Sequence, residues 1–236
     1  MNKKELAAMI DQTLLSQTAR EKDVSDFCIR AKQYGFASVC VNPFHVKTAH
    51  SIMAGTKTKV CTVIDFPLGA AGLEAKKGQA EIAVKDGARE LDFVINLALV
   101  KDHEWEKLEG ELTEIQQHVN SLSAWVNGEK ITTKLILETC LLSDEEIVQS
   151  SICAKNAGFD FVKTSTGFAI VKGEGGVLLP NGATAHAVSL MRKAIGPDMG
   201  LKASGGIHST KEALELIECG ANRIGASAGI QIVEGL

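Results

Sequence analysis

The chain has 236 residues, 45% hydrophobic and 23% charged, an ordinary balance for a globular protein long enough to bury a core without disulfides or metals. Its formal net charge is −4 with basic residues scattered along the chain, which gives no footing for nucleic acid or an anionic membrane surface. The most apolar run, residues 91–100, is short and broken by Asp92 and Asn96, so no segment spans a bilayer as a helix.

The start, Met1-Asn2-Lys3-Lys4-Glu5-Leu6, lacks the apolar stretch of a signal peptide. The six cysteines, Cys28, Cys40, Cys61, Cys140, Cys153 and Cys219, show no short zinc or redox spacing. They are expected as reduced thiols, mostly buried, in a cytoplasmic protein. Cys40, on an early strand, is expected to pack in the interior.

In chain order, a weak strand pattern covers residues 9–15. A helix then ends at Tyr34-Gly35-Phe36 before an apolar strand at 37–41, and another strand covers 59–66. Leu73–Lys85 reads as a helix entered by Gly72, and Asp86-Gly87-Ala88 precedes the strand at 91–96. A Glu- and Lys-rich helix follows at 103–120, then a strand at 134–139. Ser143-Asp144-Glu145-Glu146 opens the next helix with a serine cap and an acidic first turn. Ala157-Gly158-Phe159 leads into a strand at 161–164, and Gly173-Glu174-Gly175-Gly176 reads as a flexible rim loop. A helix at 183–195 stops at Gly196-Pro197 and is followed by a strand within 200–207. Ser209 caps a helix running through Ile217, and Cys219-Gly220-Ala221 precedes the strand Arg223–Ala226 and a terminal helix. Glycine at each of the four helix-to-strand junctions suits the left-handed position that ends a helix. Seven or eight alternating βα units without a linker predict parallel pairing in one domain over 1–236. The expected fold is a (β/α)8 TIM barrel, with a doubly wound open sheet as the rival.

Three of these strands carry a charge where an apolar residue belongs: Asp92, Lys163 and Lys202. Such a charge is costly unless paired, neutralised or put to use. Alternation places Asp92, Val94 and Asn96 on one face, and Phe161, Lys163 and Ser165 on another. Lys163 and Lys202 each precede small polar residues, which puts them near the carboxy-terminal mouth where barrel chemistry sits. An amine beside a second cation sheds its proton more readily and can form a Schiff base with a carbonyl. Lys163 is thus the expected nucleophile, Lys202 its neighbouring cation and Asp92 the proton carrier. The plain alternative has the lysines snorkelling out or pairing with Asp92 and Glu138. Lys134, sharing a face with Ile136 and Glu138, is a supporting charge and the reserve nucleophile.

Gly205-Gly206 and the Gly225-Ala226-Ser227-Ala228-Gly229 segment are small-residue loops after the last two strands. Backbone N–H groups there can approach a phosphate, as in other barrels. The histidines His45, His50, His103, His118, His186 and His208 show no metal spacing, and no dinucleotide or P-loop motif is present. No metal and no cofactor are expected.

The segments Phe161-Val162-Lys163-Thr164-Ser165-Thr166-Gly167 and Lys202-Ala203-Ser204-Gly205-Gly206-Ile207 resemble those of the deoxyribose-phosphate aldolase family, class I aldolases. The likeness runs from Ile10-Asp11-Gln12-Thr13-Leu14 through Ser38-Val39-Cys40-Val41-Asn42-Pro43 to Arg223-Ile224-Gly225-Ala226-Ser227. It implies reversible cleavage of 2-deoxy-D-ribose 5-phosphate to acetaldehyde and D-glyceraldehyde 3-phosphate without a cofactor. By matching motif, Lys163 carries the Schiff base, Lys202 tunes it and joins the proton relay, and Asp92 is the general acid/base. Gly167, Gly205, Gly206 and Ser227 hold the phosphate, and Asp11 and Thr13 sit near substrate hydroxyls. The implied partners are small phosphorylated sugars and aldehydes, with a homodimer compatible. Three positions depart from some members: Ala228 replaces a second serine, Phe168 stands where a lysine follows Thr-Gly, and the chain ends Glu234-Gly235-Leu236 without a tyrosine. Three other readings stay open: a sugar-phosphate isomerase using Glu138, a different Schiff-base aldolase on the same barrel, and a catalytically silent sugar-phosphate binder.

Overall fold

A computed structural model describes residues 1–236. The chain runs α1 (Lys3–Ala7), β1 (Ile10–Leu14), α2 (Glu21–Ala31), β2 (Ser38–Val41), α3 (Val46–Met53), β3 (Lys59–Ile64), α4 (Leu73–Lys85) and β4 (Glu90–Val94). It continues with α5 (Leu97–Lys101), α6 (Trp105–Leu122), β5 (Thr132–Ile136), α7 (Asp144–Asn156), β6 (Phe161–Lys163) and the two-residue strands β7 (Val171–Lys172) and β8 (Leu178–Leu179). The last elements are α8 (Ala185–Ile195), β9 (Gly200–Ser204), α9 (Thr210–Glu218), β10 (Arg223–Ala226) and α10 (Gly229–Glu234).

Eight strands, β1 to β6 with β9 and β10, pair in parallel and close on themselves through β1 and β10. This is the (β/α)8 barrel, and the open-sheet rival is set aside. The weak pattern at 9–15 is a real strand and supplies the closing pair, Ile10 to Gln12 against Ile224 to Ala226. Gly35, Gly87, Gly158 and Gly220 all take positive φ ahead of their strands, the left-handed turn that Cβ-bearing residues avoid. Ser143 and Ser209 each form a capping box, with Glu146 and Glu212. The segment expected as a flexible rim loop is instead the tip of an antiparallel hairpin, β7 against β8.

Leu91 and Phe93 on β4 join Leu135 on β5, Val162 on β6 and Leu201 on β9 in one apolar cluster with the helices. Fully burying a side chain such as Phe93, which meets Phe159 edge-on, is worth about 1.5–3 kcal/mol. The alternate residues of the same strands must then face the barrel axis. Contacts between strands that are not neighbours show this: Asp92 of β4 reaches Lys202 of β9, and Glu90 of β4 reaches Arg223 of β10. The interior is mostly charged. A small apolar group, Leu15, Cys40, Cys61 and Val63, shares it, as do Val94 and Ile136 on the inward faces of β4 and β5.

Candidate active site

Strand register assembles the site. Lys163 and Lys202 are direct partners across β6 and β9, and Asp92 and Lys134 are partners across β4 and β5. All four side chains point inward and are almost wholly buried. Lys163 Nζ and Lys202 Nζ each donate to Asp92 Oδ2 at 2.8 Å, so one carboxylate oxygen bridges the two amines. Asp92 Oδ1 accepts from Lys134 Nζ at 2.8 Å and from the Cys61 thiol at 3.3 Å. The lysines do not snorkel out or form ion pairs with Glu138, but they do pair with Asp92, as the plain alternative has it.

Beneath this lies a second tier. Asp11 sits 2.6 Å from Lys202 Nζ and 2.6 Å from Arg223 Nη1, and Glu90 sits 2.6 Å from Lys134 Nζ. Arg223 also lies over the Phe161 ring at 5.1 Å, a cation–π contact at the barrel floor. Burial by itself would push the Asp92 and Asp11 carboxyls up. The surrounding lysines, with Arg223 beside Asp11, outweigh it and hold both well below the usual carboxylate range. Burial likewise opposes the charge on Lys202 and Lys134, yet their carboxylate neighbours push both ammonium groups up. In the resting network Lys202 is therefore held as a cation beside Lys163.

Above the network opens a cavity of about 280 Å³ lined by Lys163, Lys202, Thr13, Gly205, Gly206 and Ser227 among others. The backbone N–H groups of Gly205, Gly206 and Ser227 in that wall donate to no protein group, and neither does that of Gly167, which is exposed and stands between two lining residues, Thr166 and Phe168. All four are left for a ligand's oxygens. Gly167 and Gly205 come together: a Cβ on Gly167 would lie 3.8 Å from Gly205 Cα. Thr13 lines the cavity. Asp11 does not. Its carboxylate is fully buried among Lys202, Lys134 and Arg223, so its placement near a substrate hydroxyl is corrected to a place under the site. Lys134 is likewise fully buried and absent from the cavity wall.

Of the three departures, Phe168 lines the cavity and stacks edge-on with Phe66, centroids 5.1 Å apart. Ala228 precedes α10 outside that lining, and Tyr34 donates its hydroxyl to Glu234, also away from it. Sequence reasoning missed Asn181 and Gly182. The Asn181 amide donates to the carbonyls of Gly167 and Ala169 at 3.2 and 2.7 Å. A Cβ on Gly182 would lie 2.2 Å from Gly205 O, so only glycine lets these loops meet. The Asn-Gly dipeptide was the available signal.

Two triads inside the barrel, Cys40 with Cys61 and Asp92, and Asp11 with Cys61 and Glu90, bring donor atoms within 4.8 Å. Lys134 contacts Asp92, Asp11 and Glu90, and Lys202 contacts Asp92 and Asp11, a concentration of positive charge that opposes a metal cation at either triad. Burial pushes the Cys61 thiol up, further from the thiolate a metal needs. All six cysteines are free, four of them buried.

A closed parallel barrel with two lysines on a shared carboxylate in its cavity wall has the architecture of a barrel enzyme. The chain belongs to the DeoC/LacD family of aldolases, whose profile, described as DeoC/LacD family aldolase, matches residues 6–234. It is therefore a lyase, which sets aside the isomerase and the silent binder. The deoxyribose-phosphate aldolase of Caldanaerobacter subterraneus subsp. tengcongensis is 48% identical over 97% of this chain and 92% of its own. That of Thermococcus kodakarensis is 47% identical over 100% and 98%. Among solved structures, the aldolase QR15 superposes with a TM-score of 0.84 at 38% identity, covering 97% of this chain and 94% of that one. The deoxyribose phosphate aldolase of Aeropyrum pernix, described as a unique tetramer, gives 0.80 at 32% identity over 99% and 91%. No helix of the chain is long and apolar enough to cross a membrane.

Proposed function

We propose that the enzyme is a class I aldolase that reversibly cleaves 2-deoxy-D-ribose 5-phosphate to acetaldehyde and D-glyceraldehyde 3-phosphate through a Schiff base on Lys163. The observation that carries this reading is the single oxygen, Asp92 Oδ2, held at 2.8 Å by both Lys163 and Lys202, with both lysines lining the cavity. The substrate is taken from the names of the relatives and from the four ligand-free N–H groups at the mouth, which suit a phosphate.

Lys163 sheds a proton and attacks C1 of the open-chain sugar, and loss of water gives an iminium. A base then takes the proton of the 3-hydroxyl. The C3–O bond becomes a carbonyl, C2–C3 breaks, and its electron pair runs to C2 as an enamine. D-glyceraldehyde 3-phosphate departs, the enamine is protonated at C2, and water hydrolyses the iminium to acetaldehyde and Lys163. Held so far down by three ammonium groups, Asp92 is a weak base on its own. It acts with Lys202 and a bound water as one coupled unit, because each proton Lys202 gives up relaxes the hold on Asp92. Six free thiols suit a reducing, cytoplasmic setting.

Borohydride reduction with acetaldehyde, followed by peptide mass mapping, tests the reading. A two-carbon adduct on Lys163 is expected. Adduct on no lysine would reject the Schiff base, and adduct on Lys134 or Lys202 alone would move the nucleophile.

A further inference from the structure

We propose that Glu138 is a positioning residue, which sets the enzyme's grip on phosphate by fixing the turn at Thr166 and Gly167. The inference rests on the reading of the cavity as a phosphorylated-sugar site. Glu138 follows β5 at the mouth and adopts φ 59°, a left-handed conformation that a residue with a side chain keeps only when its surroundings insist. Its side chain is 2% exposed. One carboxylate oxygen accepts from the Thr166 backbone N–H at 3.1 Å and the other from the Thr166 hydroxyl. That hydroxyl in turn accepts from the Phe168 N–H at 3.0 Å. The amide of Asn181 holds the far side of the same turn through the carbonyls of Gly167 and Ala169.

The turn is thus pinned from both flanks, and its middle N–H, that of Gly167, is the one left for a ligand. No lysine or arginine forms an ion pair with Glu138. It is not among the residues lining the cavity above Lys163; it lines a separate apolar cavity with Leu97, Leu141, Phe168 and others. Glu138 thus stands outside the wall above Lys163, and burial pushes it up from its ordinary range against the hydrogen bonds from Thr166 and the pull of the Lys163 charge. Apart from a long contact from the Cys140 thiol at 3.8 Å, its hydrogen bonds end on Thr166, which does line the active cavity. Its influence therefore reaches the substrate through that residue.

The test compares wild type with Glu138→Ala and Glu138→Gln. Three quantities are read: steady-state kinetics on 2-deoxyribose 5-phosphate, inhibition by inorganic phosphate, and borohydride trapping of acetaldehyde, which carries no phosphate. Glu138→Ala should raise both KM and the inhibition constant for phosphate by about tenfold, the loss of one to two hydrogen bonds. It should leave kcat, its pH profile and the trapped adduct close to wild type. Glu138→Gln, which keeps an acceptor for the Thr166 N–H, should recover most of the loss. Should Glu138→Ala fail to fold, Glu138→Asp, which keeps the charge but withdraws it from Thr166, reads the same quantities. Unchanged KM and phosphate inhibition in the variants overturn the inference alone. A fall in kcat with a shifted pH profile, equally severe in Glu138→Gln, overturns it in favour of proton transfer. Wild type that phosphate does not inhibit removes the phosphate reading and the inference together, whereas trapping on Lys163 would still stand.

Discussion

Lys134 separates structural charge from reacting charge at the scale of single residues. Its ammonium sits 2.6 Å from Glu90, 2.8 Å from Asp92 and 3.5 Å from Asp11, with no exposed surface. Lys134→Met should cost about 3–5 kcal/mol, because three buried carboxylates lose a shared partner, and lower the melting midpoint by about 10 °C for a chain of this size. At temperatures where the variant is folded, trapped acetaldehyde should still map to Lys163. A folded Lys134→Met that traps nothing would make Lys134 the nucleophile. Asp92, Lys163 and Lys202 were legible in the sequence because a charge inside an apolar strand stands out by its cost. Arg223 and Glu90 were not, since each begins its strand, where a charge is unremarkable, and they meet only across the barrel. Asp11 was misplaced for a related reason: alternation says that it faces inward, not how far below the mouth it sits.

Among the elements, the strand faces and the glycine-ended helices were readable, and the strand ends less so. The strand expected to run to 66 stops at Ile64, where Asp65 takes φ 54°, and the one expected to run to 139 stops at Ile136 before Glu138 turns left-handed. Such turns are held by tertiary hydrogen bonds, which no local pattern records. The two-residue strands β7 and β8 are too short to show a period of two. Within β10, Gly225 makes a demand that only the assembled barrel reveals. A Cβ there would lie 2.8 Å from Lys202 Cε and 2.9 Å from Ser204 Cβ. Gly225 has no positive φ, so Gly225→Ala strains no backbone and acts through this contact. The cheapest relief is a shift of the flexible Lys202 side chain, which moves Nζ relative to Asp92. A displacement near 1 Å can cost about a hundredfold in rate. Gly225→Ala is expected to lose that order of kcat while its melting midpoint falls by a few degrees. Wild-type kcat in a folded Gly225→Ala would show that the placement of Lys202 tolerates such a shift.

For the whole molecule, alternation of strand and helix announced a parallel barrel, but its closure hinged on β1, the weakest pattern in the chain, meeting β10 more than two hundred residues away. Closure is also what gathers the charges, so stability should carry their signature. Asp11 and Asp92 are held below the ordinary carboxylate range, despite burial, by Lys134, Lys202 and their neighbours. Groups lowered on folding contribute stability above their unfolded value, near pH 4, and lose it as pH falls towards the folded value. Below about pH 4 each should remove up to about 1.4 kcal/mol per pH unit. Lys134, Lys202 and Arg223 are raised, so their contribution is complete below the unfolded values, near 10.5 for lysine, and is lost as pH climbs towards the folded ones. The buried Cys28 thiol, pushed up to about 11, steepens the same alkaline flank, whereas Glu138, raised by burial, opposes the acid one. The melting midpoint should therefore be flat between about pH 5 and pH 9 and fall on both sides. In Lys134→Met the acid flank should be shallower, because Asp92 and Asp11 lose a cation that lowers them. Melting curves of both proteins from pH 3 to pH 11 decide it. A wild-type acid flank no steeper than that of Lys134→Met would mean that the buried network does not govern the response, and that carboxylates elsewhere on the barrel do.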